Sequence, residues 1–348
     1  MSTDWQILFA KDASLFPHLA DLQKEQVLLS TMSEIAFRNA SFLDQRIFTP
    51  DLHRQIVSWT DVASIPLPTL PKPQYIFHIG HVGSTLISRL LGELNGILAL
   101  REPAILRQLA DVQVNKPAEI GWSGDEQGKR LDQVENWLSR GFHANQRVMI
   151  KASSFVSPLA RHLLAASGDA LFLYASPERY LQTILAGDAS KQEAAALADL
   201  RLNRLVQHCG QPVASKEALT LAQTAALGWL CEIVTLCDAE AHCPDANIAW
   251  MDFDHFLSQP AEQLLVAAEH FGKDLPVDQA ENLLSGPIMT SYSKAPEYDY
   301  SASLREELLA EAGKIHADDI RQTLLWIDQL ARHHPKVAAA IATAETTR

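Results

Sequence analysis

The segment YIFHIGHVGSTLISRLLGEL, residues 75–94, joins an apolar run to an amphipathic helical pattern through a turn that contains glycine. The first N–H groups of a helix have no partner within the helix and carry a partial positive charge, so such a turn can bind an anion. We expect its backbone N–H groups and its two hydroxyls to contact a phosphate or sulfate group. An ordinary strand-to-helix turn is the competing interpretation. The residues concerned are Gly80, His81, Val82, Gly83, Ser84 and Thr85.

The turn lacks the lysine that precedes the hydroxyl residue in nucleotide-binding loops of the pattern G-x-x-x-x-G-K-[ST]. His81 is the basic residue within it. As imidazolium it would supply positive charge, and as imidazole it could donate one hydrogen bond or move a proton. It could equally be a polar loop residue. His78 and His81 have the spacing H-x-x-H, but the spacing fixes no third ligand, so we expect no metal.

Two more ionisable residues follow apolar runs. Glu102 lies in LREP and Lys151 ends RVMIK. A carboxylate at the carboxyl end of a buried strand is a candidate general base, although it could also stabilise the next helix or pair with Arg101. A lysine at the same edge could supply the charge that the turn lacks, or it could be an ordinary exposed lysine. The candidate catalytic residues are His81, Glu102 and Lys151.

The middle of the chain alternates short apolar runs with amphipathic stretches. This pattern predicts an α/β fold of three layers, α/β/α, with a central parallel sheet covered on both faces. Ligands bind beyond the carboxyl ends of the strands in such sheets, which is where the turn, Glu102 and Lys151 fall. The predicted strands are Tyr75–Ile79, Ile97–Leu100, Val148–Ile150, Leu171–Tyr174 and Ile248–Met251.

Three regions are expected along the chain. Residues 1–70 are predicted to form a helical N-terminal arm that ends in a proline-rich linker, because apolar residues recur there at spacings of three and four. Residues 71–285 form the α/β core, with a helical segment at 189–243 that includes a buried helix over 219–237. Residues 286–348 form a loop and helices packed on the core.

The composition narrows the class of partner. The 348 residues carry a formal net charge of −13, which argues against nucleic acid or an anionic membrane as a partner. No run of about 18 apolar residues without charges predicts a membrane span, and no secretory signal is evident. The four cysteines lack a C-x-x-C pair, so we expect reduced thiols and a cytoplasmic location. A small-molecule ligand is expected, and the sequence leaves open whether the chain forms a homo-oligomer.

Five segments, in this order, resemble motifs of the sulfotransferase superfamily, whose fold is related to P-loop nucleotide kinases. Together they cover roughly residues 75–275. The resemblance implies transfer of a sulfuryl group from 3'-phosphoadenosine 5'-phosphosulfate to a hydroxyl or amine of a small acceptor, without a metal. The segments are GHVGSTL at 80–86, REP at 101–103, KASS at 151–154, LYASPERYLQT at 173–183, and WMDFDHFLSQPAEQLLVAAEHFG at 250–272.

The chain departs from the family pattern at the donor site. His81 stands where the family has a catalytic lysine or arginine, and Ala175 stands where an arginine binds the 3'-phosphate. Thr183 replaces the serine that shares that contact. The resemblance therefore implies that Thr183, together with Arg179 or another basic residue, contacts the donor. The other candidates are Arg201, Arg204, Lys294 and Arg305.

Two functions remain open from the sequence. In the first, Glu102 deprotonates the acceptor, while His81, Lys151 and the turn stabilise charge on the leaving phosphate oxygen. In the second, a sulfotransferase-like protein binds another nucleotide or a protein partner without catalysis. The two differ in whether basic residues elsewhere replace those missing at positions 81 and 175.

Overall fold

The computed structural model describes residues 4–115, 119–290 and 302–346. Its strands are β1 Leu15–Asp21, β2 Gln26–Thr31, β3 Arg54–Ser58, β4 Gln74–His78, β5 Ile97–Arg101, β6 Arg147–Lys151, β7 Asp169–Tyr174 and β8 Asn247–Asp252. Its helices are α1 Asp4–Lys11, α2 Glu34–Asn39, α3 Trp59–Ala63, α4 Ser84–Gly92, α5 Ala104–Asn115, α6 Gly124–Leu138, α7 Ala160–Leu163, α8 Pro177–Ala186, α9 Asp188–Ala196, α10 Ala198–Cys209, α11 Leu221–His242, α12 Phe253–Ser258, α13 Pro260–His270, α14 Val277–Leu284, α15 Pro287–Thr290, α16 Ala302–Ile315, α17 Ala317–His333 and α18 Pro335–Thr346. Short 3-10 helices span Gln45–Ile47, Ser154–Leu159 and Lys216–Ala218.

The central sheet is parallel and has the strand order β5-β6-β4-β7-β8. Every residue of β4 and of β5 is buried, so both faces of the sheet are covered, as the continuous apolar runs predict. The five predicted strands are confirmed, and so is the three-layer α/β fold. Because β5 and β6 lie on one side of β4 while β7 and β8 lie on the other, the carboxyl end of β4 is the expected ligand position.

The helical segment at 189–243 consists largely of α9, α10 and α11. Helix α11 is buried along most of its length, and Trp229, Leu230 and Cys231 have no exposed surface. The prediction of a buried helix over 219–237 is therefore confirmed. The C-terminal helices also pack on the core, since α16 and α17 contact α8 and α18 contacts α11.

The prediction of a helical arm over residues 1–70 is wrong. Strands β1, β2 and β3 form an antiparallel sheet there. Val27 and Leu29 of β2 are fully buried and alternate with half-buried neighbours, which is the period of a strand. The side-chain amide of Gln108 on α5 accepts from the Ala20 N–H at 2.8 Å and donates to the Ala20 carbonyl at 2.7 Å. Hydrogen bonds between the strands and to Gln108 thus favour a sheet, although the apolar residues recur at helical spacings of three and four. The proline-rich stretch 66–73 has no helix or strand, as predicted.

Two buried arginines attach this N-terminal segment to the core. Arg101 donates to the carbonyl oxygens of Phe37, Arg38 and Ala40. Arg140 donates to those of Phe9, Asp12 and Leu15. Burial lowers the pKa of Arg101 to about 10 and that of Arg140 to about 9, so both remain charged at neutral pH. The segment is therefore part of the core rather than an arm.

Candidate functional site

A cavity of about 590 Å³ lies at the carboxyl ends of the central strands. The turn after β4 forms its middle. One half lies toward β5 and β6, and its lining includes Phe42, Arg46, Glu102, Arg107, Ser153 and Phe155. The other half lies toward β7 and β8, and its lining includes Thr183, Ser190, Glu193, Arg201, Phe253 and Arg305. All six predicted anion-binding residues, from Gly80 to Thr85, line the same cavity.

The backbone of the turn is held in an unusual conformation. Gly80, His81 and Gly83 have φ angles of +88°, +57° and +61°. This left-handed region is costly for a residue with a side chain, so His81 is strained. Helix α4 begins at Ser84 without a side-chain cap at its N-terminus. Its first N–H groups therefore meet no capping side chain at the cavity.

Thr85 and Ser153 are buried polar residues that line the cavity. They are only 3% and 6% exposed, and within the described part of the chain neither hydroxyl has a hydrogen-bond partner. A buried hydroxyl without a partner costs about 1–3 kcal/mol. A polar ligand that formed hydrogen bonds with these two hydroxyls would remove this cost.

The two histidines of the H-x-x-H pattern have different positions. The N–H of Gly80 donates to Nδ1 of buried His78 at 3.0 Å, so His78 shapes the turn. Both histidines line the cavity, but His81 is partly exposed whereas His78 is buried. No cluster of three His, Cys, Asp or Glu side chains suited to a metal occurs among the residues described.

Glu102 and Lys151 form an ion pair at the ends of β5 and β6. The Lys151 side chain is 1% exposed and the Glu102 side chain is 19% exposed. The N–H of Glu102 also donates to the Lys151 carbonyl at 2.7 Å, and Glu102 has a left-handed φ of +53°. Lys151 is thus not an exposed lysine, and the partner of Glu102 is Lys151 rather than Arg101. The carboxylate lines the cavity while the ammonium does not.

The basic residues proposed to contact the 3'-phosphate divide into two groups. Arg179 does not line the cavity, because its guanidinium is held by Glu306 and by Asp254 at 3.3 Å. Arg204 is buried in an ion pair with Glu232 at 2.9 Å. Lys294 lies outside the described residues. Arg201 and Arg305 line the cavity.

Arg201 is 7% exposed and, within the described ranges, forms no ion pair with a carboxylate. Arg305 is paired with Asp254 at 2.7 Å, but one of its buried nitrogens, Nη2, has no hydrogen-bond partner among the described residues. Thr183 also lines the cavity, and its hydroxyl donates to the Arg179 carbonyl at 2.8 Å. Ala175 is buried, and its carbonyl accepts from the Trp229 indole at 2.9 Å. Among the described basic residues of this half, Arg201 is therefore the one without a carboxylate within 4 Å.

Phe253 was not predicted as a site residue. A Cβ atom at Gly83 would lie 1.9 Å from its ring, so the ring packs directly on the turn. The available signal was its position immediately after β8. Arg107, Phe42 and Phe155 were also missed, and nothing in the local sequence around Arg107 or Phe42 marks them as parts of the cavity.

Comparison with known proteins gives a likeness in structure alone. No family model and no curated protein matches the chain. The sulfotransferase domain from the curacin biosynthetic pathway is similar at 12% identity and a TM-score of 0.39, over 67% of this chain and 85% of that domain. A sulfotransferase from Alicyclobacillus acidocaldarius is similar at 13% identity and a TM-score of 0.38, over 78% of this chain and 97% of that one. Sulfotransferase STF9 from Mycobacterium avium is similar at 14% identity and a TM-score of 0.37, over 74% of this chain and 79% of that one. Such low values assign no activity.

Proposed function

We propose that this chain transfers a sulfuryl group from 3'-phosphoadenosine 5'-phosphosulfate to a hydroxyl or amine of a small acceptor. One observation carries the proposal: a single cavity is lined by the strained turn, by Glu102, and by the hydroxyls of Thr85 and Ser153, which have no hydrogen-bond partner among the described residues. A general base beside an anion-binding turn is the arrangement that group transfer to a hydroxyl requires.

The cavity has groups suited to both anionic parts of the donor. The N–H groups from Gly83 to Thr85, with the Thr85 hydroxyl, suit the 5'-phosphosulfate. Arg201 suits the 3'-phosphate, so an arginine on α10 would replace the one absent at Ala175. Thr183 would join this contact by turning its hydroxyl from the Arg179 carbonyl to the phosphate. Arg201 is preferred to Arg179 because carboxylates already hold Arg179.

The donor supplies the sulfuryl group, whose S–O bond to phosphate breaks as a bond forms to the acceptor oxygen or nitrogen. Glu102 accepts the proton that the acceptor loses. The turn N–H groups and His81 stabilise the negative charge that develops on the phosphate oxygen. Lys151 holds the Glu102 carboxylate in place at the cavity and offsets its negative charge beside the anionic ligand.

The non-catalytic alternative is favoured by one specific observation. The carboxylate of Glu102 is already held in an ion pair with the buried ammonium of Lys151, which is a structural role that needs no catalysis. A protein that only binds a nucleotide would need the turn and Arg201 but no base.

Thermal unfolding tests the donor site. At a hundred times its dissociation constant, 3'-phosphoadenosine 5'-phosphate should stabilise the protein by about 2.7 kcal/mol, which raises Tm by about 4 °C for this length. Adenosine 5'-phosphate at the same concentration should give a smaller shift. Equal, negligible shifts would refute the proposal.

Incubation with ³⁵S-labelled donor and a small-molecule extract tests transfer. We expect labelled products with the natural chain, and a rate of labelling lower by roughly 100-fold or more with Glu102→Gln. Binding of the nucleotide without any labelled product would favour the non-catalytic alternative.

A further inference from the structure

We propose that the acceptor carries an anionic group, such as a carboxylate, that Arg107 binds at the mouth of the cavity beside Glu102. This inference rests on the proposed function and specifies its acceptor. The residues that support it line the half of the cavity toward β5 and β6, where none of the residues proposed to contact the 3'-phosphate lies.

Arg107 forms no close ion pair among the described residues. It lies on α5, five residues after Glu102, and its side chain is exposed and lines the cavity. Asp111, one turn further along α5, interacts with the charge of Arg107, but no carboxylate among the described residues lies within 4 Å of the guanidinium. The N–H donors of Arg107 are therefore not taken up by a carboxylate.

The position of Arg107 is fixed by an aromatic ring. Its guanidinium carbon lies 4.1 Å from the ring centroid of Phe155, which also lines the cavity. A guanidinium stacked on a ring keeps its N–H donors directed outward in its plane, where a carboxylate can accept two of them. Stacking thus orients the donors before a ligand binds.

A second arginine on this half is already neutralised. Arg46 stacks on Phe42 at 3.5 Å, but Asp44 pairs with it at 2.5 Å. Glu102 is likewise balanced by Lys151. These four side chains carry no net charge together, whereas the guanidinium of Arg107 has no carboxylate within 4 Å among the described residues. The rings of Phe42 and Phe155 give the same half apolar faces. An acceptor with a ring, a hydroxyl and an acidic group fits these features.

The test uses two matched pairs of probes, 4-hydroxybenzoate with 4-hydroxybenzamide and 4-hydroxyphenylacetate with its amide. Their binding is measured by saturation-transfer NMR in the presence of 3'-phosphoadenosine 5'-phosphate. We expect each anion to bind about tenfold more tightly than its amide, the lower end of the range for a charged hydrogen bond because Arg107 is exposed. In Arg107→Gln the ratio should fall below about twofold, and Arg107→Lys should retain part of it.

Arg332→Gln is the matched control, since Arg332 is an exposed arginine on α17 that does not line the cavity. It makes the same charge change and should leave the ratio unchanged. Equal affinity for anions and amides, no binding by either anion, or a preference that survives Arg107→Gln would overturn the inference. Nucleotide affinity separates the two proposals: if Arg107→Gln binds the nucleotide normally, the donor site stands whatever the acceptor results show.

Discussion

Replacing Glu102 by glutamine should destabilise the protein, and replacing Lys151 by methionine in that variant should restore the stability. Removing one partner of a buried ion pair typically costs about 3–5 kcal/mol, because the remaining charge stays in a poorly solvated place. The Lys151 side chain is 1% exposed, so the ammonium cannot be hydrated without local opening. Glu102 is 19% exposed and a glutamine oxygen can still accept one hydrogen bond, so we expect the lower end, about 3 kcal/mol.

This free energy corresponds to a fall in Tm of about 4 °C, since a chain of this length unfolds with an entropy of about 0.7 kcal/mol per kelvin. The double variant Glu102→Gln/Lys151→Met buries no charge at this place. It should lie within about 1 kcal/mol of the natural chain. Lys151→Met alone should cost less than Glu102→Gln, because water reaches the carboxylate that remains.

Differential scanning calorimetry and urea unfolding measure these differences. The control is Asp318→Asn, which removes an exposed pair with Arg321 and should give no measurable change. If Glu102→Gln costs less than about 1 kcal/mol, or if the double variant is no more stable than the sum of the single variants, the ion pair is not the buried unit described here. Glu102→Gln should also reduce turnover by roughly 100-fold or more, with little change in donor affinity. Turnover should be measured well below Tm, because unfolding of the destabilised variant would itself lower the activity near Tm.

Three further predictions concern the turn, the donor site and pH. Gly83→Ala should weaken nucleotide binding about tenfold or more, because Gly83 has a φ of +61° and because the new methyl group would collide with the Phe253 ring. Adding Phe253→Ala removes the collision and should recover only part of the affinity. Full recovery would show that the φ angle is unimportant. Arg201→Gln should reduce the preference for 3'-phosphoadenosine 5'-phosphate over adenosine 5'-phosphate about tenfold in calorimetric titrations, whereas Arg179→Gln should leave it unchanged; the reverse result would assign the contact to Arg179. Burial lowers the pKa of His18 from 6.5 to about 4. Between pH 6.5 and pH 4 the imidazole therefore binds a proton in the unfolded chain but not in the folded one. About 3 kcal/mol of the free energy of unfolding, present above pH 6.5, should be lost as pH falls toward 4. His18→Leu should flatten the stability curve over that window, and an unchanged slope would contradict the assignment.

The central sheet could be predicted because its strands carry continuous apolar runs, and a fully buried parallel strand needs no alternation. The strand ends also indicated that Gly80 to Thr85 and Glu102 lie near one another, and these residues line one cavity. The N-terminal sheet could not be predicted from local spacing, because its strands depend on pairing with each other and on Gln108, 88 residues from Ala20. Arg179 illustrates a related limit: it lies within a family-like segment, but its pairing with Glu306 spans 127 residues. Sequence spacing shows where a charge occurs in the chain, while distant acidic residues decide whether it is available to a ligand.

The carbonyl contacts of Arg101 and Arg140 bear on how this protein can be shortened for expression. The proline-rich stretch 66–73 looks like a convenient place to begin a truncated version. Such a fragment would remove all six of the N-terminal carbonyl oxygens, three for each arginine, that receive these guanidinium groups. It would also delete Phe42, one wall of the cavity. A clone starting after the prolines should therefore yield insoluble protein, and its lack of activity would say nothing about the catalytic residues it retains.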